Sequence, residues 1–447
     1  MAKLLDHNSL PSTKTELDLF SIPPTQVSIE SGYWHPVRLV NTCTSNGPWQ
    51  FHLQSDPQYL QLAKNYLYMK LRILKSDGTN MIVDVPAANG EPAIEGDKVA
   101  PINLIAKTLF KQVKVHLNGR QAFDSGDNYA YRSFLETELN YGESAKTTQL
   151  TAGLYAKDKP AHQVNTEENT GWKWRQNWFS GSKVVELMAP LHCELFQSEK
   201  LLLDNTELYL ELHRNSDTFA LMSFTDASNY KIEVLDMVWY VRKVEILKSV
   251  QMGLETALIK NPAKYPVRRI QVTKLHIAPG RRAVPANTLF NGQIPRRLVI
   301  GFVDMQAYYG SYKHSPFKFQ NYSLTKIKVS AGGQVFPREA LEMDFNNDHF
   351  MRAYVNLFEG LGQGREDTGN MITLADFKHS HCLFVFDLTP DEQDGGHWEL
   401  IKEGAVSVDA EFGVDVPEPG IEMIVYAEFD NLVTIDRNRN VYFDYNI

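Results

Sequence analysis

The sequence predicts an all-β fold made of two tandem eight-stranded antiparallel jelly-roll sandwiches, with a few short helices in their loops. Apolar residues occupy every second position in many short segments, which is the pattern of half-buried strands. The order of these segments in the first half of the chain is repeated in the second half. The chain of 447 residues exceeds the roughly 250–300 residues at which one hydrophobic core stops growing, so two domains are expected.

The clearest repeat is a β-hairpin. Segment 110–123, FKQVKVHLNGRQAF, alternates apolar and polar residues and then reaches an Asn-Gly dipeptide. Segment 322–336, YSLTKIKVSAGGQVF, alternates in the same way and reaches Gly-Gly. Such dipeptides are typical of tight hairpin turns, because their residues tolerate positive φ at low cost. The predicted structural turn residues are Asn118, Gly119, Gly332 and Gly333.

The first half of the chain opens with a segment that does not read as a strand. Residues 1–27 are polar and interrupted, and Pro23-Pro24 prevents regular strand pairing, so this segment is predicted to be an arm. Strands follow closely after it. Outside the hairpin, the strand-like segments of the first half are 27–39, 65–75, 184–192, 207–214 and 230–247.

A helix interrupts the strands of the first half. The pattern predicts it over residues 127–142, because four large apolar residues fall on one face at helical spacing. These residues are Tyr131, Phe134, Leu135 and Leu139. The polar stretch from the end of this helix to about residue 178 is predicted to be a long surface connection.

The second half repeats the order of the first. The strand at Tyr68 aligns with the strand at Val299, and the two hairpins align at Gly119 and Gly333. The strand-like segments of the second half, besides its hairpin, are 268–278, 296–310, 381–389, 404–413 and 420–430. The predicted division is an arm at 1–27, a first jelly roll at 28–248, a connector helix at 249–262 and a second jelly roll at 263–447.

Charge and cysteine usage exclude several classes of protein. The chain has 45 Lys and Arg against 54 Asp and Glu, a net charge of −9, which argues against direct binding of nucleic acid. Its three cysteines are far apart, so neither a disulfide framework nor a metal knuckle is predicted. No stretch reaches the roughly 18–20 apolar residues of a membrane span, and the N-terminal segment lacks the apolar core of a signal peptide. Synthesis inside a cell is expected.

Histidines and carboxylates offer two candidate metal sites. His379 and His381 would share one face of a strand and could bind copper together with His276, although solvated histidines are the favoured interpretation. The turn at 390–399 is acidic, and its candidate ligands for a hard cation are Asp391, Glu392 and Asp394. Its spacing differs from that of a calcium loop, so a solvated turn is favoured. We therefore predict neither a metal nor a cofactor.

Other candidate motifs do not assemble into a catalytic site. His192 and Cys193 are neighbours that would point to opposite faces of a strand, which prevents them from acting as base and nucleophile. The glycine-rich segment 359–367 lacks the Lys-Ser/Thr of a phosphate loop. We therefore predict no catalytic residues and no enzyme activity.

Two basic stretches leave two interpretations open. They are PGRRAVP, residues 279–285, and the pair Arg296-Arg297. Local positive charge in an acidic protein would suit contact with an acidic neighbour across a subunit interface. The alternative is that these arginines are simply solvated. The sequence alone does not separate the two.

Several stretches resemble one protein family. They are SIPPTQVSIESGYWHPV (21–37), LFKQVKVHLNGRQ (109–121), NYAYRSFLETELNYGESAKTTQL (128–150), ELMAPLHCELFQSEKLLLDNTELYLELHRNSDTFALM (186–222) and YYGSYKHSPFKFQNYSLTKIKVSAGGQVFP (308–337). The family is the hexon-like double jelly-roll major capsid protein of Polinton/adintovirus-type elements and related adomaviruses. The resemblance spans nearly the whole chain, and its motifs are structural.

The resemblance implies a homotrimeric capsomer. Three subunits with two sandwiches each would form a pseudo-hexamer that tiles the icosahedral shell of a double-stranded DNA virus. Implied partners are neighbouring capsomers and the penton and minor capsid proteins, which the arm and segment 437–447 would contact. The implied location is the virion capsid, after synthesis and assembly in the cytoplasm or nucleus of the host cell. A double jelly-roll enzyme and a carbohydrate-binding or attachment protein are the alternatives.

Overall fold

The computed structural model describes residues 8–10, 12, 14–86, 93, 95–225, 229–285, 287–365, 367, 369–392 and 397–445. Its strands are β1 (Ile29–Arg38), β2 (Trp49–Leu53), β3 (Tyr59–Lys75), β4 (Ala100–Pro101), β5 (Phe110–Leu117), β6 (Arg120–Asp124), β7 (Val185–Ala189), β8 (Leu208–Arg214), β9 (Leu221–Met222), β10 (Tyr230–Ile246), β11 (Ala263–Ile277), β12 (Thr288–Gln293), β13 (Arg297–Asp304), β14 (Leu324–Ala331), β15 (Gln334–Glu342), β16 (Leu383–Asp387), β17 (Glu403–Phe412), β18 (Ile421–Ile435) and β19 (Val441–Phe443).

Helices lie between the strands. They are α1 (Ile105–Thr108), α2 (Tyr129–Asn140), α3 (Glu143–Thr147), α4 (Thr170–Phe179), α5 (Asp217–Ala220), α6 (Lys248–Lys260), α7 (Met305–Tyr309), α8 (Met351–Gly360) and α9 (Leu374–His379). Short 3₁₀ helices occur at Thr15–Leu17, Gly126–Asn128, Gln149–Gly153, Ala161–Gln163, Ser180–Ser182 and Leu195–Gln197.

The strands form two jelly-roll sandwiches of equivalent topology. In the first, a four-stranded sheet of order β1-β10-β3-β7 faces a four-stranded sheet of order β2-β8-β5-β6. In the second, β11-β18-β13-β16, with β19 paired to β18, faces β12-β17-β14-β15. All these pairs are antiparallel. The predicted fold class is confirmed.

Alternation of side chains builds the core of each sandwich. On β3, Leu67 and Met69 point inward and are buried, whereas Tyr66 and Tyr68 point to the opposite face. The two sheets meet through aromatic side chains. The ring centroids of Trp239 and Phe51 are 6.4 Å apart in the first sandwich, and those of Phe302 and Phe412 are 5.4 Å apart in the second.

The turn dipeptides lie at the tips of two equivalent hairpins. Asn118 (φ 48°) and Gly119 (φ 73°) connect β5 to β6. Gly332 (φ 56°) and Gly333 (φ 82°) connect β14 to β15. Positive φ at both central residues matches the right-handed twist of the flanking strands.

The stretch from 143 to 178 is folded into the body of the protein, so the predicted surface connection was wrong. It contains α3 and α4, and both Trp172 and Arg175 are fully buried. Arg175 donates to the carbonyl oxygens of Pro101 and Ala156, at 2.9 Å each. The polar composition was misleading, because a guanidinium can be buried when its N–H groups all find acceptors.

Two glycine-to-alanine substitutions, with opposite expected effects on the stability of the fold, test the hairpin turn. Gly119→Ala should destabilise the fold by about 1 kcal/mol, because a Cβ is strained at a φ of 73°. The matched control is Gly253→Ala inside α6, where no atom lies within 4 Å of an added Cβ. This control should stabilise the fold by about 0.5–1 kcal/mol. Thermal and urea unfolding measure both variants, and shifts of the same sign would contradict the expectation.

Candidate functional site

The candidate functional site is the junction at which helix α2 packs between the two sandwiches. Every residue of α2 from Tyr129 to Leu139 is buried. The predicted helix is confirmed, but it is not half-exposed as one apolar face would suggest. Its apolar face meets the second sandwich, while the first sandwich covers the face that carries Arg132 and Glu136.

Stacked aromatic rings form the apolar half of the junction. Phe134 of α2 lies parallel to Phe317, with ring centroids 4.2 Å apart. Tyr131 stacks on Tyr308 at 5.6 Å, and Phe319 contacts both helix residues. Each such pair contributes about 0.5–1.5 kcal/mol beyond the burial of its area. The two sandwiches therefore share one continuous core at this point.

Arg132 is the centre of a buried ion cluster on the other side of α2. Its Nε lies 3.0 Å from Oε1 of Glu136, and its Nη1 lies 2.9 Å from Oε1 of Glu194. The same oxygen of Glu194 accepts a hydrogen bond of 3.1 Å from the backbone N–H of Ile270 in β11. One carboxylate thus connects the helix to the first strand of the second sandwich.

His192 extends this cluster as a neutral imidazole. Lys107 Nζ, which can only donate, lies 2.6 Å from His192 Nε2, so the ring proton lies on Nδ1 and is donated to Glu136. Burial and the nearby Lys107 lower the pKa of His192. Burial alone would raise the pKa of Glu136, but His192 and Arg132 lower it to about 2.

Cys193 follows His192 but does not pair with it. Burial raises the pKa of the Cys193 thiol well above its usual range, so the sulfur stays protonated. The imidazole of His192 is already engaged by Lys107 and Glu136. A structural role for both residues agrees with the sequence prediction.

The predicted copper ligands lie apart. His379 is exposed at the end of α9, whereas His381 is buried at the junction with its Nε2 3.6 Å from Glu138 Oε1. His276 Nδ1 lies 3.0 Å from Glu422 Oε1 on the outer side of β11. The prediction that His379 and His381 share a strand face was wrong, because helix α9 extends to residue 379 and the chain turns there.

The acidic turn places a different set of residues together. Within the part of the chain that the structure describes, the group with metal-ligand spacing is Asp391, His397 and Glu399. His397 Nε2 lies 2.9 Å from Asp391 and 3.3 Å from Glu399, so mutual pairing accounts for their proximity. Glu392 is not in this group. The predicted ligand Asp394 lies outside the described residues.

Arg296 and Arg297 are buried inside the second sandwich, which contradicts both interpretations of this pair. Arg297 Nη1 lies 3.2 Å from Glu428, and its Nε donates to the carbonyl of Gly360 at 2.7 Å. Arg296 Nη1 lies 3.7 Å from Asp430. Their acidic neighbours therefore belong to the same chain.

The other basic stretch and the glycine-rich segment also make contacts within the chain. In the other basic stretch, Arg282 pairs with Asp415 at 2.5 Å on the surface of its own sandwich. In the glycine-rich segment, which follows α8, the amide of Gln363 donates to the carbonyl of Leu139 in α2 at 3.0 Å. This segment therefore forms part of the junction.

The arm and segment 437–447 were both predicted to contact neighbouring proteins. The structure shows different environments for the two segments. Near the C-terminus, Arg439 Nη2 pairs with Glu255 at 2.7 Å, and its carbonyl accepts from Asn118 Nδ2 at 2.7 Å. This segment is therefore docked on its own chain. The described residues of the arm are exposed, including Phe20 (97%) and Ile22 (86%). None of the described helices is long and apolar enough to cross a membrane.

Comparison of sequences decides the family. No family model matches the chain. The uncharacterized protein F54H12.2 of Caenorhabditis elegans is 32% identical over 429 residues, which cover 95% of this chain and 99% of the nematode protein. The chain belongs to the F54H12.2 family. The similarity includes both sandwiches and the junction, so we expect the whole architecture in this family.

Several solved structures share the fold of this chain. A chain of the Sputnik virophage, solved by cryo-EM, has a TM-score of 0.65 and 11% identity, covering 100% of this chain and 94% of that one. The mavirus major capsid protein has a TM-score of 0.56 and 11% identity, with 99% and 97% covered. VP54 of PBCV-1 has a TM-score of 0.57 and 9% identity, with 96% and 100% covered. At these identities the likeness establishes the double jelly-roll fold alone.

Breaking the ion cluster should loosen the junction. Arg132→Met should lower the free energy of unfolding by about 3–5 kcal/mol, because it leaves the carboxylates of Glu136 and Glu194 buried without their cation. Arg282→Met is the matched control, since Arg282 and Asp415 form an exposed pair and the change should have little effect. Urea unfolding compares the two, and equal losses would contradict the assigned role of Arg132.

Acid should destabilise the protein in two steps. The folded-state pKa of His192 is below 6.5 and that of Glu136 is below 4.5, so the unfolded chain takes up these protons first. Stability should therefore fall as the pH drops below about 6.5, and again below about 4.5. In His192→Gln the fall between pH 6.5 and 5 should be smaller, whereas the exposed control His397→Gln should follow the wild type. An unchanged acid limb in His192→Gln would exclude this histidine as a cause.

Proposed function

We propose that the chain is a major capsid protein, a structural subunit of the icosahedral shell of a double-stranded DNA virus. The observation that carries the proposal is the tandem pair of jelly rolls that fills the chain and is shared, over 99% of its length, with the mavirus major capsid protein. The capsid role comes to this chain by that likeness. The residue-level findings agree with it, because candidate chemical groups such as His192 and Cys193 are buried in structural roles.

The proposed assembly unit is a homotrimeric, hexon-like capsomer. Three copies with two equivalent sandwiches each provide six similar units, which fit a six-fold lattice position. Proposed partners are neighbouring capsomers and the penton and minor capsid proteins, and the proposed location is the virion capsid after assembly in the host cell. The exposed apolar residues of the arm, Phe20 and Ile22, suit contacts of this kind.

The proposed division of the chain follows from the topology. It consists of an arm at 1–27, a first jelly roll at 28–248, a connector helix at 249–262 and a second jelly roll at 263–447. The first sandwich ends with β10 and the second begins with β11, and α6 lies between them, which supports these boundaries. We also propose an origin in a Polinton/adintovirus-type element. The quoted sequence resemblance and a relative carried by a nematode support this origin.

Purified protein tests the proposed assembly directly. Light scattering should give a particle of three copies at micromolar concentration, because capsid subunits bury well over about 2,000 Å² in their permanent interfaces. Negative-stain images should show a three-lobed particle with six corners. A stable monomer, or stoichiometric copper or zinc in a metal analysis, would contradict the proposed structural role.

A further inference from the structure

The two sandwiches contain equivalent sheets, but only the second has both faces covered. In that sheet one row of side chains crosses all four strands on the outer face, opposite the core. This row is Val272, Tyr426, Val299 and Val385, exposed by 9%, 3%, 1% and 0%. In consequence the central strand β18 is buried without interruption from Ile421 to Phe429.

The equivalent face of the first sheet is open to solvent. Tyr68, which aligns with Val299, pairs across the strands with Val238 and Met188 and points away from the core. Around it lie Trp34, Tyr66 and Tyr240 on the same side, and the ring centroids of Trp34 and Tyr66 are 5.6 Å apart. We call the set Trp34, Tyr66, Tyr68, Met188 and Tyr240 the aromatic face.

Three large apolar side chains on the aromatic face are exposed. Trp34 is 42% exposed, Tyr66 38% and Met188 37%. A contiguous apolar surface on a sheet, with cations such as Arg38 and Arg242 beside it, is typical of an interaction site. The face therefore suits a partner that offers apolar groups, with an acidic side chain near Arg38.

The covered outer face of the second sheet shows which kind of element can cover the exposed face of the first sheet. The β11 side of the covered face is packed against α2, the helix that follows strand β6 of the neighbouring sandwich, while Asn356 of α8 donates to the carbonyl of Val385 at the β16 side. Arg132 of α2 is linked to β11 through Glu194, which accepts from the N–H of Ile270. Asn128 just before α2 donates to the carbonyl of Val272 at 3.0 Å. A helix placed after the edge strand of one sandwich thus covers part of the outer sheet face of the next.

The second sandwich carries its own helix after the corresponding edge strand. This helix is α8, which follows β15. Its buried residues Ala353, Leu357 and Gly360 face its own sandwich. Its opposite side exposes Met351 by 46% and Val355 by 54%. Glu359 lies one turn beyond Val355 on the same exposed side.

We propose that the exposed side of α8 in one copy covers the aromatic face of the next copy. This inference rests on the proposed function, which supplies the ring of three copies. The contact repeats between chains the packing that α2 makes within the chain. The two surfaces differ, so the contact is heterologous and generates a closed ring when the rotation between copies closes. Glu359 offers an exposed carboxylate to the cations beside the aromatic face.

A charge placed on α8 tests the contact. Val355→Asp should reduce the mass in light scattering to one third, because a carboxylate would be buried against Trp34 and Tyr66. The control is Met252→Asp, which changes a still more exposed apolar residue on α6, 71% against 54%, and should leave the trimer intact. Circular dichroism and the unfolding midpoint should show that both variants fold.

The outcomes separate this inference from the proposed function. A wild-type chain that stays monomeric contradicts the capsomer itself, and the α8 contact with it. A wild-type trimer that Val355→Asp leaves unchanged overturns only the α8 contact. Loss of the trimer in Val355→Asp but not in Met252→Asp supports the contact.

Cross-linking gives a readout that does not depend on the stability of the charged variant. Chains with Val355→Cys and chains with Tyr66→Cys are co-expressed and treated with a short bismaleimide. The expected product is a covalent dimer of one chain of each type. Wild type, with only Cys43, Cys193 and Cys382, and a mixture of Val355→Cys with Met252→Cys are the controls. Equal dimer yield in the control mixture would overturn the proposal.

Discussion

Burial of helix α2 on every side is the constraint on which the architecture depends. Its aromatic residues Tyr131 and Phe134 pack on the outer side of the second sandwich, while Arg132 and Glu136 need partners supplied by the first. Such a helix cannot be stable in either sandwich alone, because it would leave either apolar area or charges uncovered. The two jelly rolls are therefore expected to fold as one body.

Polar groups at the junction fix how the helix and the two sandwiches are placed relative to one another. Glu194 is held by Arg132 and by the backbone of Ile270, which sets the register between the helix and β11. Buried ion pairs of this kind contribute little net stability over an apolar packing, yet a wrong arrangement would leave charges unpaired. The cluster therefore specifies one relative placement of the sandwiches. The proposed shell subunit needs such a fixed placement, because its neighbours would contact both sandwiches.

Because the sandwich is duplicated, each chain has one sheet whose outer face is covered and one whose outer face is exposed. The outer face around Tyr426 is closed by α2, whereas the face around Tyr68 remains open. A single sandwich would carry the same open face, but two sandwiches present different surfaces at their two ends. In the proposed capsomer these different surfaces would meet head to tail around a ring of identical subunits.

The sequence by itself determined most of the strands, the hairpins and the duplication, although it missed β2 and β12. Alternation at Leu67 and Met69 and the turn dipeptide at Gly119 depend on local backbone geometry, which neighbouring residues encode. The tertiary structure alone decided which charges are buried. Arg297 was expected at the surface, yet it pairs with Glu428, 131 residues later in the chain. No local pattern reveals such a pairing, because it exists only when distant segments come together.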